Sequence, residues 1–310
     1  MKKNQGKNKY KMFVYRKEVL TPDSLLAFYA APYPRMSRSH NDRNNKTREN
    51  IIGAIINKKI PESYYEIPHW ENLKHSVYVY LDSLGCLGGR CLHRAGRHYN
   101  YDFDIVTPDR DFHIELKYNA GSIEDAPQFV SPMKPSQYLS RSYEEYYYDN
   151  YLSFLSIKSG IPMPSREDFL KEIHSNKPKC MSSYQELYYK GCAKSSKYSE
   201  QQEHVEFYEL AKEKTNESIS TFIQETTLNT EALTDYFQKT QKDKIYMLYV
   251  DGEFIKQEVN MDDYFIESVV PNAYKYRYEA KCKSGKQLNI LLRWKNGNGI
   301  AFPAFQISQL

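Results

Sequence analysis

The sequence predicts an α/β fold, a mixed β-sheet flanked by helices and carrying a helical insertion. Three observations lead there. The stretch "YDFDIVTPDRDFHIELKYN", residues 101–119, reads as two aromatic and β-branched strands around a turn-like "PDRD". A helix pattern, "HWENLKHSVYVYLDSLG", comes shortly before it. A short apolar run, "KIYMLYV" at 244–250, suits a buried central strand, but a long helical stretch separates it from the hairpin.

Taken in order, the first 65 residues read as a basic arm or peripheral layer, because "PYPRMSRSHNDRNNKTREN" offers Arg35, Arg38, Arg43, Lys46 and Arg48 with few apolar residues to bury. Such an arm suits contact with nucleic-acid phosphates as well as a solvated loop. Residues 66–310 are expected to form the main domain. Its first helix places Trp70, Leu73, Val77, Leu81 and Leu84 at helical spacing, and Gly85 ends it. "GRCLHRAGRHYN" is a first strand, and the hairpin follows. From about 130 to 242 the pattern is helical and irregular, with "IPMPSREDFL" marking a break and a new start, so this segment reads as an insertion before the 244–250 strand. In the tail, "LNILLRW" is strand-like and "NGNG" a tight loop, clustering Arg293, Lys295, Asn296 and Asn298 beside a turn. Arg and Lys can read guanine and Asn adenine, so these four are candidate DNA-binding residues, with Arg35, Arg38 and Arg43 of the arm.

The hairpin raises the chemical question, because it carries Asp102, Asp104, Glu115 and Lys117 on strands apolar enough to be buried. If Thr107 faces Phe112 across the loop, Asp104 lies opposite Glu115 and Asp102 opposite Lys117, and strand alternation puts all four on one face. Two carboxylates that close repel unless a cation or a proton sits between them, and oxygen ligands of this kind suit Mg²⁺. An Asp, a short turn and then Glu-x-Lys on the next strand resembles the PD-(D/E)XK nuclease superfamily, and "DIV" followed by "IELK" is similar to type II restriction endonucleases in particular. The resemblance implies a restriction-endonuclease-like core. It also implies that Asp104 and Glu115 ligate Mg²⁺, with the backbone carbonyl of Leu116 as a further ligand, and that Lys117 orients or activates the attacking water. Asp102 stands as the alternative ligand and Glu71, on the preceding helix, as an additional candidate. The literal Pro108-Asp109 pair falls in the turn, too near Glu115 to face it.

A second Glu-x-Lys, "YEAKC" with Glu279 and Lys281, tests the pattern. With Val270 facing Tyr274, Glu279 meets Phe265 and no carboxylate, so this copy is expected to be an exposed charged edge.

Composition bounds the rest. In 310 residues, 43 Lys and Arg stand against 39 acidic residues, so attraction to nucleic acid must come from charge distribution. The 29 tyrosines can pack while hydrogen-bonding. The basic opening lacks an apolar signal core and no run approaches ~20 apolar residues, so a cytoplasmic protein without membrane spans is expected. Five cysteines, an odd number, fit reduced thiols, and "CLGGRCLH" has no second ligand pair to complete a zinc site. The resemblance to type II restriction endonucleases implies Mg²⁺-dependent, sequence-specific cleavage of double-stranded DNA and, by analogy, a homodimer, since a palindrome cut on both strands calls for two sites related by a twofold axis. A structure-selective or repair nuclease and a non-catalytic DNA-binding protein are the rivals.

Overall fold

The computed structural model describes residues 11–29, 38–94, 99–118, 120–125 and 134–309. It is a mixed α/β chain that divides into two compact units, Met1–Ala126 with Asp243–Val259, and Pro127–Lys242 with Asn260–Leu310.

The first unit begins with a hairpin, β1 (Phe13–Tyr15) and β2 (Glu18–Leu20), followed by helices α1 (Arg38–Ile56) and α2 (Pro68–Ser83). Pro68 opens α2, where its missing N–H costs nothing, and Gly85 leaves it at a φ of 69°. The strands β3 (Arg90–His93), β4 (Phe103–Val106), β5 (Asp111–Tyr118), β6 (Lys244–Val250) and β7 (Glu253–Glu258) form one sheet in that order. Only β5 and β6 pair in parallel, which requires a crossover, and the long segment between them supplies it. Phe103, Ile105, Phe112, Ile114 and Met247 of the sheet are buried in one cluster with Ile51, Ile52 and Ile55 of α1 and Trp70, Val77 and Leu81 of α2. Each such side chain contributes about 1.5–3 kcal/mol when fully withdrawn from water.

The expected boundary at residue 65 is therefore corrected. From Thr47 onward α1 is buried nearly all round and belongs to the core, whereas the polar stretch ahead of it had suggested an arm. Arg48 in particular is 1% exposed, donates from Nε to the Ala27 carbonyl at 2.8 Å, and lies 3.4 Å above the Tyr118 ring, so it is not a phosphate contact.

The second unit shows that residues 130–242 are not a bare insertion, because they fold with the C-terminal 260–310. Its sheet contains β8 (Ile266–Asn272), β9 (Arg277–Cys282), β10 (Gln287–Trp294) and β11 (Pro303–Gln309), all antiparallel, in the order β11-β10-β9-β8. Its helices are α3 (Tyr143–Asn150), α4 (Leu152–Ser159), α5 (Arg166–Glu172), α6 (Ser182–Gly191), α7 (Gln202–Gln224) and α8 (Thr230–Gln241). The tyrosines are largely packing residues here. Tyr143 is buried and its hydroxyl meets the Trp294 Nε1 at 3.0 Å and the Ser218 Oγ at 3.0 Å. Glu279 faces Val270 across β8 and Asn289 across β10. The expected pairing of Glu279 with Phe265 is thus corrected, because β8 runs on to Asn272, which pairs with Arg277 around the Ala273–Lys275 turn; no carboxylate lies opposite Glu279, and β9 is an interior strand and not an edge.

Among the described residues no helix is long and apolar enough to cross a membrane, and all five cysteines are free thiols.

Candidate active site

The β4–β5 hairpin decides the site, and its register differs from expectation by two. Val106 faces Asp111, Ile105 faces Phe112, and Asp104 faces His113 rather than Glu115. The turn is the cause. Thr107 is its first residue, not the last of the strand, and caps it by donating from Oγ1 to the Arg110 carbonyl at 2.7 Å and accepting from the Arg110 N–H at 3.2 Å. Pro108 then takes the second turn position, where its fixed φ is at home. A change of two in the pairing preserves parity, so Asp104, Glu115 and Lys117 still share a face.

Asp102 is brought to the same place by an irregular step. It lies one residue ahead of β4, and its N–H donates to the carbonyl of Ile114, the residue already paired with Phe103. Two residues against one is the signature of a bulge, which re-aims a side chain. The Asp102 carboxylate consequently reaches the edge of β5 and accepts the Leu116 N–H at 2.9 Å. Lys117 Nζ donates to Glu115 Oε1 at 2.6 Å, and Lys244, at the start of β6, lies 3.8 Å from the other Glu115 oxygen. The Glu115, Lys117 and Lys244 side chains are 15%, 16% and 4% exposed, so their charges are poorly screened.

The sequence did not single out Glu49. On α1 it adds a third negative charge, raising the affinity of Asp102 for a proton, while Glu115 does the same to Glu49. Its only sequence signal is a carboxylate placed directly before the apolar run "NIIGAII". Glu71, the helix glutamate that was expected, instead pairs with Lys74 and its side chain is 51% exposed.

The electrostatics follow from three carboxylates and two ammonium groups withdrawn from water. Burial, together with Glu115 and Glu49, pushes the Asp102 carboxyl well above the usual range against the pull of Lys117. Burial raises Glu49 to about 7, with Arg16 opposing and Glu115 reinforcing. For Glu115, burial is outweighed by Lys117 and Lys244, which hold it below its ordinary value. For Lys117, burial is outweighed by Glu115 and Asp102, which raise it.

Glu49 yields a stability prediction. A carboxyl with a raised folded-state value favours the native state when protonated, so its stabilisation is complete below pH 4.5 and is lost as pH rises to about 7. Glu49→Gln removes that loss. In EDTA the variant should match wild type near pH 4.5 and exceed it at pH 8 by about 1–3 kcal/mol, allowing for partial exposure. Thermal melts at the two pH values measure the difference, and equal stability at pH 8 would reject this placement of Glu49.

Asp104 is engaged elsewhere. It is 3% exposed; Oδ2 accepts from Arg94 Nε at 2.5 Å and Oδ1 lies 2.7 Å from His113 Nδ1. Burial raises its carboxyl, but hydrogen bonds from Arg94, His113 and Tyr101 together hold it below the ordinary Asp range. That stabilisation is present above the ordinary value and lost as pH falls through the depressed one. Asp104→Asn should therefore lower stability at neutral pH by about 1–3 kcal/mol, an effect that shrinks in acid. Urea titrations at pH 7 and pH 3 would show it.

Of the other expected residues, Arg35 lies outside the described residues, as does the Arg38 side chain, while Arg43 is exposed on α1. In the second unit, Arg293 Nη1 donates to Gln306 Oε1 at 2.6 Å and Asn296 Nδ2 to Asn176 Oδ1 at 2.8 Å. Lys295 lies 5.8 Å from the Phe302 ring centre, and Asn298 is half-buried. The tail loop also packs on α6, with Gln185 Nε2 donating to the Asn296 carbonyl at 3.3 Å.

No family model, curated protein or solved structure matches this chain. The site therefore rests on its own chemistry. Among the described residues no group of three His, Cys, Asp or Glu side chains is arranged to hold a metal ion. Asp102 and Glu115 nevertheless fit a hydrated divalent cation, because Mg²⁺ commonly takes only one or two carboxylates and keeps several waters. A cavity of about 690 Å³ in the same unit is lined by residues that include Phe28, His69, Leu73, Tyr249 and Phe254, and none of the five charged residues lines it.

Proposed function

We propose that this chain is a Mg²⁺-dependent endonuclease of double-stranded DNA, of the type II restriction class, with Asp102 and Glu115 holding the metal and Lys117 serving the attacking water. The observation that carries the reading is the half-buried cluster in which Asp102, re-aimed by the bulge, joins Glu115 and Lys117 under an excess of carboxylate. Carboxylates crowded together away from water are costly, and their presence on the central strand β5, beyond the end of its pairing with β4, points to a cation-dependent use.

The chain's own residues have separable tasks. Asp102, which accepts from the Leu116 N–H, and Glu115, the residue before it on β5, would provide the hard oxygen ligands. The N–H and C=O of a strand residue point to the same neighbour, so the Leu116 carbonyl is directed towards the side where Asp102 accepts its N–H. Glu49 is the third carboxylate, suited to orient metal-bound waters. The bound metal would supply charge neutralisation at the phosphorus and lower the pKa of water. Lys117 remains an ammonium at neutral pH, because Glu115 raises its pKa, so it donates hydrogen bonds and stabilises developing negative charge rather than abstracting a proton. Lys244 balances Glu115 from the β6 side. In this reading a homodimer in the cytoplasm cuts both strands. Arg293, Lys295, Asn296 and Asn298 carry sequence discrimination, and exposed Arg43 adds backbone attraction.

The test is incubation of purified protein with long duplex DNA in Mg²⁺ or in EDTA, followed by a gel. Discrete, Mg²⁺-dependent bands are expected. Smearing or cleavage of branched DNA alone would move the reading to a repair nuclease. A mobility shift without cutting in Mg²⁺ would leave only DNA binding.

A further inference from the structure

We propose that the tip of the β1–β2 hairpin, Arg16 and Lys17, together with Arg43 and Lys46 of α1, forms a clamp for the phosphate backbone of nucleic acid and holds that backbone beside the carboxylates of the cluster. The ligand class rests on the nuclease reading above; the clamp itself rests on residues outside the cluster.

The hairpin holds two cations in a strained turn. Tyr15 and Glu18 are its last paired residues, so Arg16 and Lys17 are the two central residues of the turn, and both have positive φ, 48° and 68°. Such a turn favours Asn-Gly, because a β-carbon in the left-handed region crowds the following carbonyl oxygen. A turn that only reversed the chain would gain nothing from arginine and lysine there, and both side chains are exposed. Arg16 is also aimed. The Glu18 carboxylate accepts from Thr47 Oγ1 and Asn50 Nδ2 of α1, and Asn50, 4% exposed, offers its Oδ1 to Arg16 Nη1 at 3.2 Å. An amide anchor orients the guanidinium without neutralising it and leaves its other N–H groups to a ligand, where the planar fork suits phosphate.

The placement matches a polymer and not a lone anion. Arg43, Lys46, Thr47 and Asn50 recur at i, i+3, i+4 and i+7 and so share one face of α1, about 10 Å long, on which Thr47 and Asn50 hold the hairpin while Arg43 and Lys46 are exposed. Among the described residues none of Arg16, Lys17, Arg43 and Lys46 forms an ion pair with a carboxylate. Four unpaired cations spread along a hairpin tip and a helix face are complementary to a polyanion. Glu49, the residue before Asn50, ties this patch to the cluster, for the Arg16 charge acts on Glu49 and the Glu49 charge acts on Asp102. The clamp acts by positioning; it takes no part in bond breaking.

The experiment is a binding titration of a labelled DNA duplex by fluorescence anisotropy in fixed Ca²⁺ over a range of KCl. It compares wild type with Arg16→Gln, Lys17→Gly, Arg43→Gln combined with Lys46→Gln, and Lys59→Gln, an exposed position beyond the far end of α1 that controls for loss of one charge. Each lost phosphate contact should reduce the slope of log affinity against log salt by about 0.9, and the double change by about 1.8, with equal weakening on every sequence. Lys59→Gln should follow wild type. Lys17→Gly places glycine where the backbone is left-handed, so this variant should bind less well yet melt at or above the wild-type temperature. Weaker binding accompanied by a lower melting temperature would make Lys17 a structural residue and overturn the clamp. Slopes parallel to wild type for Arg16→Gln and Lys17→Gly, or an equal loss in Lys59→Gln, would overturn it as well. Cleavage in Mg²⁺ at saturating DNA is read separately: cutting with parallel slopes removes the clamp and keeps the nuclease, whereas reduced slopes with a wild type that does not cut do the reverse. Absence of any duplex binding by wild type would remove both.

Discussion

Asp102→Ala should reduce Mg²⁺-supported DNA cleavage on the order of 10³-fold, corresponding to roughly 4 kcal/mol of lost transition-state stabilisation, while the protein melts in EDTA at or above the wild-type temperature. The two effects have one origin. The Asp102 carboxylate is held at the edge of β5 by the Leu116 N–H among the negative charges of Glu115 and Glu49. Removing it relieves repulsion in the metal-free protein and deletes a ligand from the loaded one. Wild type should also gain thermal stability on adding Mg²⁺, by mass action, and the variant should lose that gain. Asp104→Asn provides the contrast. It should lose stability but still cut at saturating DNA, because its oxygens address Arg94 and His113. Near wild-type cutting by Asp102→Ala, or abolished cutting by a folded Asp104→Asn, would return the metal to Asp104.

Lys117→Ala should lower single-turnover cleavage on the order of 10²-fold or more, with Ca²⁺-supported binding of duplex DNA little changed, because the charge it stabilises develops only in the transition state. Its ammonium sits 2.6 Å from Glu115 and is held in the charged form by Glu115 and Asp102. The rate should therefore show no loss across neutral pH attributable to Lys117. Substitution also leaves Glu115 with Lys244 as its partner cation, so the fold is expected to persist. Unchanged cleavage by Lys117→Ala would remove the main support for hydrolysis at this cluster, while equal losses in binding and rate would make Lys117 a simple phosphate contact.

Much of this was written locally. The hairpin's alternation placed Asp104, Glu115 and Lys117 on one face, and the observed change of two in the pairing kept them there, because side chains repeat with a period of two. Apolar spacing from Trp70 to Leu81 and the glycine after it defined α2, and the uninterrupted apolar run 244–250 defined a central strand. The α/β class followed from their order.

Tertiary structure decided what depended on competition between near-equal local choices or on residues far apart. Thr107 could end a strand or cap a turn, and the capped turn, with Pro108 in its second position, moved every pairing by two and gave Asp104 to His113. A bulge, invisible to alternation, then carried Asp102 to Leu116. Glu49 and Arg48 looked like parts of a solvated basic stretch. Only packing of α1 onto the sheet withdrew both from water, which turned Glu49 into a member of the cluster and Arg48 into a core residue. Residues 130–242 had helical patterns of their own, but they carried no sign that their core would be completed by strands from 260–310. Periodicity is a property of a segment and is legible in it; register, desolvation and the choice of partner are energies of the assembled chain.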